Sequence, residues 1–360
     1  MEQIRVLIID DSALVREILK RGLSKDPGIK VVGTASNPYR ARDMIVQLKP
    51  DVLTLDIEMP RMDGVEFLHH LMPQYPLPVV VVSALTQKGT ALAVEALEAG
   101  AVEVVPKPQL DIARGLNEMM RELREKVKIA AAINVQAWKR VKRKARVRDH
   151  IHKKALAEST DKVIAIGAST GGTEAIRRIL PGLPPTAPGV VVVQHMPPGF
   201  TSHFAKSLNA TCEMDVKEAE TGDRVMPGRV LIAPGDCQMR VKRSGGIYKV
   251  ICEAGEKVCG HCPSVDVLFH SVAQYVGPNA VGVMLTGMGR DGAEGMLALH
   301  RAGGHTIAQD EKTSVVFGMP KAALEYGGVE ILLPLDEIPG TIINLLTGDQ
   351  VPGGKIKENI

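Results

Sequence analysis

IRVLIIDDSALVREILKRGL, residues 4–23, decides the fold class of the first third of the chain. A run of branched aliphatics ends in two carboxylates, and an amphipathic helical pattern starts near Ser12. The same plan recurs downstream. Buried-type strands read KVVGTA (30–35), VLTLD (52–56), PVVVVSA (78–84) and VEVVP (102–106). Helical patterns begin near Pro38, Val65, Thr86 and Arg114. Five β/α units with strands that are apolar on both faces predict a parallel sheet covered by helices on both sides.

Beyond residue 125 this rhythm breaks. The stretch WKRVKRKARVRDHIHKK (138–154) holds nine Lys/Arg against one Asp, with neither strand alternation nor a sustained apolar face. It reads as a basic linker spanning 126–160. A second α/β pattern begins at Asp161. KVIAIGASTGG passes from strand through glycine loop into the helix TEAIRRIL, and GVVVVQHMPPGF (189–200) and AVGVMLTGMGRDGAEGM (280–296) repeat that plan. Residues 212–258 between them read as shorter strands and turns. The segment 161–349 is one domain on this reading, and 350–360 is a tail.

Composition agrees with two globular domains. The chain has 360 residues, 45% of them hydrophobic and only 3% aromatic, so its cores are aliphatic. The net charge of +3 favours no class of partner. No stretch reaches the ~18 apolar residues of a membrane span, and the start does not read as a signal peptide. The five cysteines are an odd number and all fall in the C-terminal half, which suits reduced thiols in a cytoplasm.

In an open parallel sheet, function collects at the carboxyl ends of the strands. Asp10 and Asp11 end the first strand, Asp56 the third and Ser83 the fourth, while Lys107 follows the fifth. Three carboxylates repel one another unless a divalent cation sits among them, and hard oxygen donors suit Mg²⁺. Cation and ammonium together meet the electrostatic requirement for an acyl phosphate on Asp. A single acid here would be read as a helix cap. Five convergent groups are not explained that way.

Gly167-Ala168-Ser169-Thr170-Gly171 fits G-x-S-x-G between a strand and a helix, a turn that lifts a serine hydroxyl clear of the backbone. Alone the pattern is weak. His195 directly follows the strand VVVVQ and Asp291 follows VGVMLTG, so all three residues stand at carboxyl ends of strands. In the usual division, Ser169 attacks a carbonyl, His195 takes the proton and Asp291 orients the imidazole. Backbone N–H groups near Thr170 or Met288 would form the oxyanion hole. The order Ser…His…Asp is not that of the α/β-hydrolases. A dinucleotide loop would need glycine at position 169, and the P-loop lysine is absent.

On these motifs both halves resemble known families. IDDS (9–12), TLDIEMPRMDG (54–64), VSA (82–84) and PKP (106–108) make residues 1–125 resemble a two-component receiver domain. The resemblance implies a flavodoxin-like five-stranded parallel sheet, phosphorylation at Asp56, Mg²⁺ held by Asp10, Asp11 and Asp56, and a switch built on Ser83 and Lys107, with a cis bond before Pro108. The fifth strand lacks the usual aromatic. GASTGG (167–172), QHMPPGFT (194–201), PSVDVLF (263–269), LTGMGRDGA (285–293) and DEKTSVVFGMP (310–320) make the second half resemble the catalytic domain of chemotaxis protein-glutamate methylesterases. That implies a doubly wound, mainly parallel α/β domain with Ser169, His195 and Asp291 as its triad, assisted by Thr170 and Met288, and no cofactor at the esterase site. The implied substrate is a glutamyl methyl ester, or certain glutamines, on the cytoplasmic domain of a chemoreceptor. The implied phosphodonor is a chemotaxis histidine kinase, and phosphorylation would relieve a block on Ser169.

Other readings remain. A receiver-controlled adaptor would carry the same motifs without catalysis. The basic run suggests DNA phosphates, but no helix-turn-helix follows it, and no nucleic-acid partner is expected. Cys259-Gly-His-Cys262 has dithiol spacing but no second pair for zinc, and reads as incidental thiols. Met62, Met119, Met120 and Met196 read as packing residues.

Overall fold

A computed structural model of the chain describes residues 3–84, 86–107, 112–133 and 161–348. The basic run 138–154 and Pro108, with its expected cis bond, lie outside the described residues. The chain divides into two compact units, Met1–Gln136 and Ala137–Ile360.

The first unit alternates strand and helix throughout: β1 (Ile4–Ile9), α1 (Ala13–Leu23), β2 (Ile29–Ala35), α2 (Pro38–Leu48), β3 (Val52–Leu55), α3 (Gly64–Gln74), β4 (Val79–Ala84), α4 (Gln87–Ala99), β5 (Glu103–Lys107) and α5 (Ile112–Ala131). The sheet order is β2-β1-β3-β4-β5 and every pairing is parallel. All of β3 is buried, as its VLTL sequence requires of a central strand. Strand order reverses at β1, so the acids after β1 and β3 meet at the switch point where such sheets bind ligands. Lys107 belongs to β5 rather than following it, and α5 continues to Ala131.

The second unit holds a seven-stranded sheet of order β15-β14-β13-β6-β7-β10-β8. Its strands are β6 (Val163–Ala168), β7 (Gly189–Gln194), β8 (Asp215–Glu218), β10 (Arg229–Ile232), β13 (Ala280–Met284), β14 (His305–Gln309) and β15 (Ile331–Leu333). All six pairings are parallel. Helices α6 (Gly172–Ile179), α7 (Phe200–Asn209), α8 (Val265–Tyr275), α9 (Ala293–Arg301), α10 (Met319–Glu325) and α11 (Ile338–Thr347) connect and cover it.

Residues 212–258 divide between two sheets. β8 and β10 join the parallel sheet, while β9 (Arg224–Val225), β11 (Cys237–Ser244) and β12 (Ile247–Ala254) form an antiparallel one. The long β11–β12 hairpin turns on Gly245-Gly246 between the paired Ser244 and Ile247, and Gly245 has φ +62. Positive φ at such a turn matches the twist of the flanking strands. Its inward side chains Met239, Val241, Tyr248 and Val250 share a core with Val265, Leu268, Phe269 and Val272 on α8. That packing fixes the amino end of α8, which matters below. Among the described residues no helix is long and apolar enough to cross a membrane.

Candidate active site

β6 is flanked by β7 and β13. Ser169, His195 and the loop carrying Asp291 therefore leave the sheet from three adjacent strands, on the same edge. Main-chain bonds lock their starting points together. Ser169 N–H donates to Thr286 O at 3.0 Å, and His195 N–H donates to Ala168 O at 3.1 Å. Gln194, buried at the end of β7, donates from Nε2 to Ser169 O at 2.9 Å and to His195 O at 3.2 Å. Its amide thus clamps both turns in one frame.

The turn after Ser169 needs its glycines. Gly171 takes φ +75, and a Cβ there would stand 2.6 Å from Val315. Gly172 opens α6, and a Cβ on it would meet Gln194 Oε1 at 2.1 Å. From the other side, Gly287 leaves so little room that its Cβ would lie 2.8 Å from Ser169 Cβ. Thr286, almost fully buried, ties these loops together. Its hydroxyl donates to Thr170 O at 2.9 Å and accepts from Val316 N–H at 2.9 Å. Its own N–H donates to Gln309 Oε1 at 2.9 Å.

His195 Nε2 lies 2.7 Å from Asp291 Oδ2, with both side chains nearly enclosed. The imidazole stacks on His261, with centroids 3.7 Å apart and planes 9° from parallel. Asp291 sits on the amino end of α8. Its carboxylate accepts from Ser264 Oγ (2.7 Å), Val265 N–H (2.7 Å) and Asp266 N–H (3.2 Å). A helix amino terminus presents unpaired N–H groups and a positive dipole end to such an anion. Burial alone would raise the Asp291 pKa. The hydrogen bond and charge of His195, with the Ser264 and Val265 donors, outweigh it and hold the carboxyl below its usual range.

With Nε2 committed to Asp291, the nitrogen left for a serine proton is Nδ1, which is buried without a hydrogen-bond partner. No hydrogen bond joins Ser169 Oγ to the ring: of the expected triad, His195 and Asp291 are joined, and Ser169 stands at the end of the neighbouring strand. Thr170 is buried beside Thr286, while Met288 is half exposed at the mouth.

Four supporting residues escaped the sequence reading: Gln194, His261, Thr286 and Gln309. Gln194 and Thr286 lie inside the quoted stretches QHMPPGFT and LTGMGRDGA, and His261 inside Cys259-Gly-His-Cys262, but nothing in the local pattern points to the partners they hold. Ser264 caps α8 by accepting from Val267 N–H, and its hydroxyl donates to Asp291, a partner 27 residues away that no local pattern marks. All five cysteines are free thiols.

In the first unit, Lys107 Nζ lies 2.8 Å from Asp56 Oδ2 and 3.1 Å from Asp10 Oδ2. Asp10 and Asp56 are buried, Asp11 is exposed, and oxygens of the three lie within 4.8 Å of one another. Burial, with Asp10 adding to it, pushes Asp56 up to about 6 against the pull of Lys107. Ser83 is fully buried, and its hydroxyl donates to Gly89 O at 3.2 Å rather than to the carboxylates. Val104 and Val105 occupy the core positions of β5.

Comparison with known proteins agrees with this division. Residues 164–342 match the CheB methylesterase family and residues 6–116 the response regulator receiver domain. The chain is 63% identical to the protein-glutamate methylesterase/protein-glutamine glutaminase of Syntrophotalea carbinolica, over 96% of this chain and 98% of that one. It is 49% identical to the protein of the same name from Salmonella typhimurium, over 97% and 99%. The crystal structure of the Thermotoga maritima CheB methylesterase catalytic domain, 42% identical, aligns over 52% of this chain and 100% of that one with TM-score 0.51. The Syntrophotalea carbinolica and Salmonella typhimurium relatives carry an enzyme's name rather than an adaptor's, over nearly the whole length of both chains. The chain therefore belongs to the protein-glutamate methylesterase/protein-glutamine glutaminase family, as a receiver domain joined to a methylesterase domain.

Proposed function

We propose that this chain hydrolyses glutamyl methyl esters, and deamidates glutamines, on the cytoplasmic domain of a methyl-accepting chemoreceptor, under the control of phosphorylation at Asp56. The observation that carries the reading is the buried 2.7 Å His195–Asp291 bond beside the Ser169 turn. Ser169 Oγ attacks the ester carbonyl and its proton passes to His195 Nδ1. Backbone N–H groups near Thr170 and Met288 stabilise the oxyanion, a contribution of about 10²–10³ in rate per donor. Methanol leaves with the proton from His195. Water, activated by the same ring, then releases the glutamate and restores the serine. With a glutamine substrate ammonia leaves instead.

The receiver domain takes its phosphoryl group from a chemotaxis histidine kinase in the cytoplasm. Asp10, Asp11 and Asp56 fit Mg²⁺: they offer hard oxygen donors within 4.8 Å of one another, and burial, with Asp10 adding to it, disfavours the ionised Asp56 despite Lys107. When bound, the ion offsets negative charge at the phosphorylation site. Lys107, already on Asp56, is the residue placed to meet the incoming phosphoryl oxygens.

Release of labelled methanol from methylated receptor tests both parts. Acetyl phosphate with Mg²⁺ should raise the rate, and Ser169→Ala should abolish it. Unchanged release by the Ala variant would refute the nucleophile, and indifference to acetyl phosphate would refute the control.

A further inference from the structure

The catalytic unit keeps its large apolar side chains inside, with three exceptions among the described residues: Val258, Met288 and Tyr326. Each is tied to a different member of the proposed triad. Met288 follows Gly287, whose backbone crowds Ser169. Val258 exchanges two main-chain hydrogen bonds with His261, whose ring stacks on His195. Tyr326 lies beside Arg290, the residue before Asp291. Among the described residues the exposed apolar groups of the unit thus gather at one mouth, with the exposed guanidinium of Arg290 beside Tyr326 and near Cys259.

Exposed apolar groups gathered at one place mark a contact surface, and Met, Tyr and Arg are the residues such surfaces favour. The guanidinium carries five donors in a planar fork. Of the acids around it Glu294 is exposed, while Asp291 and Asp266 are buried and already accept hydrogen bonds from Val265 N–H and Gly295 N–H. A planar guanidinium with free donors suits a carboxylate.

We propose that this rim is the docking surface for an amphipathic acidic helix, in which Arg290 pairs with a free glutamate one turn from the reacting ester while Val258, Met288 and Tyr326 cover the helix's apolar residues. Positions three or four apart lie on one helix face, about 5.4 Å along the axis per turn. On this proposal Arg290 and the Ser169 mouth read neighbouring positions of one helix. The inference rests on the function proposed above and adds a specificity rule: an ester beside an ionised glutamate is cleaved faster than the same ester beside a glutamine.

The test uses the full chain, activated with acetyl phosphate and Mg²⁺. The substrates are coiled-coil peptides carrying one glutamyl methyl ester, with either Glu or Gln at the positions three and four residues to each side. Methanol release should show kcat/KM favouring the Glu peptide by about 3- to 10-fold at low salt, the range of a partly solvated ion pair. Arg290→Glu should reverse the preference, Arg290→Gln should erase it, and Arg290→Lys should keep part of it. Val258→Ser should raise KM for both peptides with little change in kcat. The same Glu-to-Gln ratio in native and Arg290→Glu proteins would overturn the docking rule while leaving the esterase intact. Failure of the native protein to release methanol from either peptide or from methylated receptor would overturn the function itself, and the rule with it.

Discussion

Asp291 Oδ2 lies 2.7 Å from His195 Nε2 while the rest of that carboxylate is fed by the amino end of α8. Every donor around it points inward, so the acid must be an acceptor only. Asp291→Asn would put an amide NH₂ against donors and favour the wrong imidazole tautomer. We expect kcat to fall by about 10²–10⁴ and stability by about 1–3 kcal/mol, the cost of a mismatched buried polar group. The folded pKa of Asp291 is held low, so its stabilisation is present above the ordinary carboxylate range and is lost as pH falls through the depressed folded value. Melting curves from pH 6 to pH 3 should therefore converge for the two proteins. A gap that widened in acid would contradict this account of the carboxylate.

Ser264 serves two partners, Val267 N–H and Asp291 Oδ1. Replacing it with Ala removes a cap worth about 1 kcal/mol and one of the donors that orient Asp291. Stability should drop by about that amount while kcat drops roughly 3- to 30-fold, since the imidazole loses alignment rather than its partner. Gly at 264 restores the cap better than the donor. If Ser264→Gly recovered melting temperature and kcat together, the link to Asp291 would be dismissed.

Gly287 is where the third strand end meets the nucleophile. A Cβ there would sit 2.3 Å from Met319 Sδ and 2.8 Å from Ser169 Cβ. The thioether end of Met319 can swing away, but Ser169 is pinned through its backbone to Thr286 and Gln194. Gly287→Ala should thus displace the hydroxyl and cut kcat by about 10- to 100-fold, the effect of a misplacement near 1 Å, with a modest loss of melting temperature. Steady-state methanol release and a thermal melt separate the two effects. A full loss of folding with no residual activity would show that the loop, not the serine, is what yields.

Much of this architecture is legible in the sequence because parallel strands announce themselves. β1, β3, β6 and β7 are short apolar runs buried along most or all of their length, and each ends in a residue with chemistry to do. Local pattern could not assign residues 212–258 to their sheets, because successive strands there join different ones: β10 pairs with β7 and β8 in the parallel sheet, while β12 pairs with β11 in the antiparallel one. The triad positions were readable as strand ends. The brace around them was not, because Gln194, Thr286 and Gln309 act through backbone atoms more than twenty residues away. The His195–His261 stack likewise depends on where the loop before α8 returns to the sheet.

Asp56 supplies the last prediction. Burial and the neighbouring Asp10 push it up to about 6, in spite of Lys107 at 2.8 Å. An unfolded Asp titrates near about 3.9. The folded receiver unit therefore binds this proton more tightly than the unfolded chain does, so the contribution of Asp56 to stability rises as pH falls from about 6 toward 4. The ionised group is a cost above about 6. Asp56→Asn should remove that cost, raising the midpoint of the receiver transition at pH 7.5 by the equivalent of on the order of 1–2 kcal/mol, with little difference at pH 4. Mg²⁺ should stabilise the native protein more than the variant at pH 7.5. Its apparent affinity for the native protein should weaken roughly tenfold per pH unit below the Asp56 value, as one displaced proton requires. Calorimetric titration across pH 5 to 8 reads both. An Asn variant less stable than the native protein at pH 7.5 would mean that the Lys107 ion pair outweighs the crowding of carboxylates, and the electrostatic case for a cation at this site would lose its footing.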